Sequence, residues 1–156
     1  MKEKMTIILF SGEMDKATAA FILATTAAAS GMDVTIFFTF WGLNVLKKEK
    51  YAITKSQGIM QKMFHYMSSS DLPLSRLNMF GLGPWMMKKL MKKSKTPSVS
   101  ELMALAKQLN VKYIACTTSC GALGISRENL IKEVNEFAGA PTYLNEAKDA
   151  KINLFI

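Results

Sequence analysis

Two thiols, Cys116 and Cys120, stand four residues apart in the run VKYIACTTSCGALGI (residues 111–125), and the chain of 156 residues has no other cysteine. The first half of the run is apolar and partly β-branched, as a strand would be, and it breaks at Cys116 into small polar residues and glycine. A thiol at the end of a buried strand, facing backbone amides of a Gly-rich turn and a nearby helix N-terminus, is stabilised as the thiolate. Thr117, Thr118 and Ser119 add hydroxyl donors, while Gly121 and Gly124 let the backbone approach a bound sulfur or oxyanion. These are the ingredients of nucleophilic sulfur chemistry, and Cys116 is the residue at the strand end. Cys120 either resolves Cys116 as a disulfide or fills a small apolar site. A buried cysteine is also often no more than a small hydrophobe, so the residues alone leave a packing role open.

Other chemistries have fewer supports. Two cysteines and the single His65 leave a zinc site short of ligands, so neither a metal nor another cofactor is expected. No GxGxxG or GxxxxGK[ST] follows the first apolar run, which disfavours a nucleotide site at Ser11, Gly12 and Glu13. No Ser-His-Asp or paired-carboxylate arrangement stands out.

A strand-end thiol needs a sheet to hold it. Residues 5–10 (MTIILF) form a continuous apolar run that predicts a strand buried on both faces. Asp15 is the expected cap of an alanine-rich helix over 16–30, closed by Gly31, and residues 33–38 (DVTIFF) predict a parallel second strand. Trp41 and Gly42 fall at the end of that strand, ahead of a short helix over 43–46. Residues 57–67 place Ile59, Met60, Met63, Phe64 and Met67 at helical spacing, and residues 76–80 (RLNMF) predict a short third strand. Ser98 and Glu101 form a capping box for a helix that ends near Asn110 and feeds the Val111 strand. Ser126 is expected to cap a helix over 127–136, followed by a helix over 143–150 and a strand over 151–156.

The alternation predicts one domain over 1–156: an α/β/α three-layer sandwich, flavodoxin- or Rossmann-like, with about five mostly parallel strands. In such a sheet Gly12 and Trp41 fall at the same edge as the cysteine loop. With Thr117, Thr118, Ser119 and Gly121 they complete the expected substrate-binding set.

Net charge is +8, with a pI near 9.5. The lysines are dispersed and accompany no recognised motif, so nucleic acid is not an expected partner. The exception is residues 81–94 (GLGPWMMKKLMKKS), where Met86, Met87, Leu90 and Met91 form one face and Lys88, Lys89, Lys92 and Lys93 lie opposite. A lid or subunit contact with a solvated lysine face is the first reading of this segment, and a membrane surface the second. No apolar run approaches the roughly 18 residues that span a bilayer, and no signal peptide is evident, so a cytoplasmic location is expected.

Nearly the whole chain resembles the DsrE/DsrF/DrsH-like family, in the branch labelled DsrE2-like or, loosely, peroxiredoxin-like. The resemblance lies in TIILFSGEMDKATAAFILATTAAASGMDVTIFFTFWGLNVL, LNMFGLGPWMMKKLMKK, IACTTSCGALGI and YLNEAKDAKINLFI. It implies an α/β fold with a parallel sheet, homo-oligomers (trimers or hexamers) and membership of the sulfur-relay group. In that group a cysteine carries sulfur as a persulfide and hands it to a partner protein. The family's strand-end cysteine matches Cys116, and where the branch usually has Ser-Met this chain has Ser119-Cys120. The expected function is therefore a sulfurtransferase or sulfur carrier with a donor and an acceptor protein. Two readings stand beside it: a non-catalytic oligomeric docking module held at a membrane surface by the basic segment, and a thiol redox protein using Cys116 and Cys120.

Overall fold

Five strands form an all-parallel sheet in the computed structural model of the chain, which describes residues 2–48, 58–60, 63 and 72–156. They are β1 (Lys4–Leu9), β2 (Asp33–Phe38), β3 (Lys112–Cys116), β4 (Glu136–Ala138) and β5 (Ile152–Phe155), in the spatial order β4-β3-β2-β1-β5. The central strand β2 is buried from Val34 to Phe38, as its unbroken apolar sequence requires of a strand covered on both faces. The helices whose full length is described are α1 (Met14–Ala29), α2 (Leu82–Lys93), α3 (Val99–Gln108), α4 (Thr117–Leu123) and α5 (Ala140–Ala147).

One face of the sheet carries Ile7, Leu9, Ile36, Phe38 and Tyr113, packed beneath α1 and α3. Ala17, Ala20, Phe21 and Ala24 line the inner side of α1, and three of these four have no side chain beyond Cβ, which lets the helix sit close on the strands. Phe21, Phe38 and Tyr113 meet edge-on or tilted at centroid distances of 5.4–6.3 Å. The other face is thinner. Phe37, Ile114, Cys116 and Ala138 pack there against Tyr143 of α5, whose hydroxyl lies 3.2 Å from that of Thr6. Three layers result, in the order expected.

Gly31 closes α1 with φ +89°, a left-handed conformation that favours glycine. Ser98 and Glu101 form the reciprocal capping box at the start of α3. Asp15, expected as a cap, instead lies inside the first turn of α1. Glu13 holds the cap position, and the Asp15 carboxylate accepts from the N–H and hydroxyl of Ser75. That contact docks the segment after Leu72 onto the helix, helped by the Met14 N–H donating to the Pro73 carbonyl.

Two expected elements are replaced. Residues 76–80 are not a strand: Leu77, Met79 and Phe80 have φ of 57°, 40° and 53°, which no pleated strand accommodates, and they lead into the turn Met79–Gly81. Residues 127–136 are not a helix either. Asn129 closes the Ser126 cap after the single turn Arg127–Asn129, and Asn135 then exchanges hydrogen bonds with the Tyr113 backbone. Strand β4 follows, so pairing with the exposed edge of β3 overrides the helical pattern. The last helix begins earlier than expected, at Ala140 with Pro141 in its first turn, and ends at Ala147. Most of the expected 57–67 helix, including His65, lies outside the described residues. Among the described residues no helix is long and apolar enough to cross a membrane.

Candidate functional site

Strand β3 delivers Cys116 to the C-terminal edge of the sheet, and the register there decides its neighbours. Phe38 pairs with Ala115, so Thr39, the first residue past β2, comes level with Cys116 on one side. On the other side Cys116 pairs with Ala138, which brings Gly139 beside Thr117. The segment expected as a Gly-rich loop is in fact helical from Thr117 onward, with Cys116 itself in the capping position at φ −68°, ψ 116°. The thiol therefore sits where the first free amides of a helix converge.

The hydroxyls of Thr39 and Ser119 lie 2.8 Å apart, both residues are buried, and Ser119 is almost wholly inaccessible. Burial works against ionisation of Cys116. The Ser119 hydroxyl and N–H, the Thr39 hydroxyl and the Thr118 N–H outweigh it and hold the thiol below its ordinary value of 9.0. The Cys116 side chain makes no capping hydrogen bond to the helix. Cys120 is the opposite case. Burial, and then the charge of Cys116, push its thiol up to about 11. Both cysteines are free, and they pack into different apolar clusters, Cys116 with Phe37 and Tyr143, Cys120 with the larger core beneath α1.

The other expected site residues divide. Thr117 and Thr118 are exposed at the start of α4, and of these two only Thr118, through its amide, serves the sulfur. Gly121 lies within α4 and a Cβ there would meet nothing, so no close approach depends on it. Gly12 is buried, and a Cβ on it would fall 2.5 Å from the Trp41 carbonyl oxygen. Its small size admits the Trp41 backbone. Gly42 similarly admits the Leu9 carbonyl, and its N–H donates to the Phe10 carbonyl at 2.8 Å. These two glycines clamp the turn after β2 onto the loop after β1, which fixes Thr39. The Trp41 side chain is partly exposed.

Thr39 is the site residue that sequence reasoning missed. Its only signal was position: the first polar residue after the β2 run, at the same sheet edge as Cys116. A cavity of about 1320 Å³ lies elsewhere, between α2, α3 and the turn near Val45, with Tyr113 in its wall. Cys116 does not line it.

The arrangement defines a class: an all-parallel α/β protein with a buried cysteine at a strand-to-helix junction. The family model of the DsrE/DsrF/DrsH-like family matches residues 1–155, and the chain belongs to that family. It is 41% identical over 157 residues to YrkE, an uncharacterized protein of Bacillus subtilis (strain 168), covering 99% of this chain and 97% of the relative. It is 35% identical over 158 residues to the sulfur carrier protein DsrE2 of Allochromatium vinosum, covering 99% of both chains. Among solved structures it is similar to the ychN protein from E. coli, with a TM-score of 0.54 and 13% identity over the full length of both chains, a likeness of fold.

Proposed function

We propose that this protein is a sulfur carrier in which Cys116 holds sulfane sulfur as a persulfide and passes it to a partner protein. Family membership and the relative named as a sulfur carrier support sulfur relay at the level of the family. The observation that carries the finer reading is the placing of Cys116 at the cap of α4, level with Thr39 and beside the Thr39–Ser119 hydroxyl pair, donors that favour its thiolate. We read residues 1–156 as one domain serving that cysteine.

The chemistry is a pair of displacements. The Cys116 thiolate attacks the terminal sulfur of a donor persulfide; the donor's S–S bond breaks, and the donor leaves as a thiolate. Cys116-S-SH remains, with the proton on the outer sulfur. A thiolate of the acceptor then attacks that outer sulfur, and Cys116 leaves as a thiolate. There is no net oxidation. In the first step the donors act by keeping more of Cys116 ionised, and in the second they stabilise the charge that returns to its sulfur as it leaves. Cys120, with its thiol near 11, stays protonated near neutral pH and serves as packing in this scheme.

Cyanide tests the oxidation state of the cargo. Protein loaded with polysulfide and freed of excess reagent should release thiocyanate when treated with cyanide, and Cys116→Ser should release none. Equal release from both proteins, or none from the wild type, would count against a Cys116 persulfide.

A further inference from the structure

Helix α2 and the turn before it have no part in the sulfur site, yet with their flanks they form a segment of one sign of charge. Residues 72–100 contain six cations (Arg76, Lys88, Lys89, Lys92, Lys93 and Lys95) and no carboxylate, within a net charge of +8 for the whole protein. Leu72, Leu74 and Val99 pack inward, but most apolar side chains between Leu77 and Leu90 do not. Phe80 is fully exposed, Trp85 is 58% and Leu90 59% exposed, and Leu77, Leu82 and Met86 also face outward. Among the described residues none covers this face, which was expected to serve as a lid or subunit contact.

The segment is built to hold this shape. Leu77, Met79 and Phe80 are left-handed, and the turn is tied down by Gly81 and Gly83 donating to the Asn78 carbonyl at 2.9 and 3.2 Å. Gly83 has to be glycine, because a Cβ there would overlap the Leu77 carbonyl. Phe80 therefore projects from a braced turn at the tip of a helix about 18 Å long. Along that helix the Lys89 ammonium lies 5.3 Å from the Trp85 ring centre, an aromatic and a cation side by side as at a membrane–water boundary.

We propose that the Leu77–Lys93 segment is a peripheral docking surface for an anionic lipid bilayer, with Phe80 and Trp85 entering the headgroup region and the lysines meeting lipid charge. Charge selects the occupant. A second copy of the chain seated on this face would oppose like-charged helices at short range. The cavity between α2 and α3 takes Lys88, Met91 and Lys92 in its wall, but Phe80, Trp85, Met86 and Leu90 lie outside it, so an acidic partner seated there would leave them bare. An anionic bilayer satisfies both the lysines and the protruding apolar groups. This proposal does not depend on the sulfur chemistry.

The test uses the whole chain and vesicles of phosphatidylcholine with or without phosphatidylglycerol. In a Trp41→Phe background, which leaves Trp85 as the sole tryptophan, the protein should float with the anionic vesicles and not with the neutral ones. Trp85 emission should shift to the blue on binding. Lys89→Gln with Lys93→Gln should weaken binding by about 30-fold, at roughly fivefold per lysine. Phe80→Asn, a residue that tolerates the left-handed backbone, should weaken it without disturbing the turn. Absence of flotation, or flotation indifferent to all these changes, overturns the proposal. So does a blue shift that grows with protein concentration in the absence of lipid, which would make the face a self-contact. Binding to polyglutamate as tight as to anionic vesicles would make it a site for acidic polypeptides, and would overturn it too.

Discussion

The hydroxyls of Thr39 and Ser119, eighty positions apart in sequence, meet at 2.8 Å beside the Cys116 thiol. One lies just past β2, the other in the first turn of α4, so their meeting depends on the β2–β3 register. Removing either donor should raise the Cys116 thiol toward its ordinary value. The pH profile of its alkylation by iodoacetamide should then move to higher pH in Ser119→Ala and Thr39→Val. Each variant should also lose about 1 kcal/mol in urea unfolding, the usual worth of such a bond. An unmoved alkylation profile would show that the hydroxyls only pack.

The two cysteines should behave as different chemical species. At about pH 8, iodoacetamide should label Cys116 well before Cys120, because the two are equally buried, at 6% exposure, while one thiol is lowered and the other raised. Peptide mapping of partly labelled protein reads this directly.

Stability should follow the same asymmetry. Between pH 9.0 and about 11 the unfolded chain loses the Cys120 proton while the folded protein keeps it, so stability falls as pH rises through that window. Cys116 acts in the opposite sense: its contribution is present above 9.0 and is lost as pH falls through its lowered folded value. Urea midpoints of Cys120→Ala should lack the alkaline decline attributable to that thiol.

Gly42→Ala should destabilise the protein by about 1–3 kcal/mol, since its Cβ would overlap the Leu9 carbonyl. It should also loosen the turn that places Thr39, so Cys116 alkylation should shift to higher pH in a variant altered at neither cysteine nor donor. A stability loss with an unchanged profile would separate the turn from the site.

Ser98→Ala should cost about 1 kcal/mol by removing half of the α3 capping box, with no effect on the thiols. Urea unfolding together with cysteine labelling checks both halves of that statement.

What the sequence made legible were features carried by local pattern. The unbroken apolar runs of β1 and β2, Gly31 after α1, and Ser98 with Glu101 each announce themselves within a few residues, and each is where it was expected. Cys116 at the end of β3 belongs to the same class. What stayed hidden was set by distant partners. Thr39 becomes a donor only through sheet register, and Gly12 and Gly42 are small because of backbone from another loop. The helix expected over 127–136 had a sound cap, but the free edge of β3 and the Asn135 contact to Tyr113 outcompeted it. The strand expected at 76–80 failed for a local reason that composition does not reveal, a run of left-handed residues.

The central claim, that Cys116 carries the sulfur, is tested most directly by intact mass after incubation with polysulfide. The wild type and Cys120→Ser should each gain about one sulfur mass that a reductant removes, while Cys116→Ser gains none. A wild type that gains nothing, or a gain that survives Cys116→Ser, would contradict it.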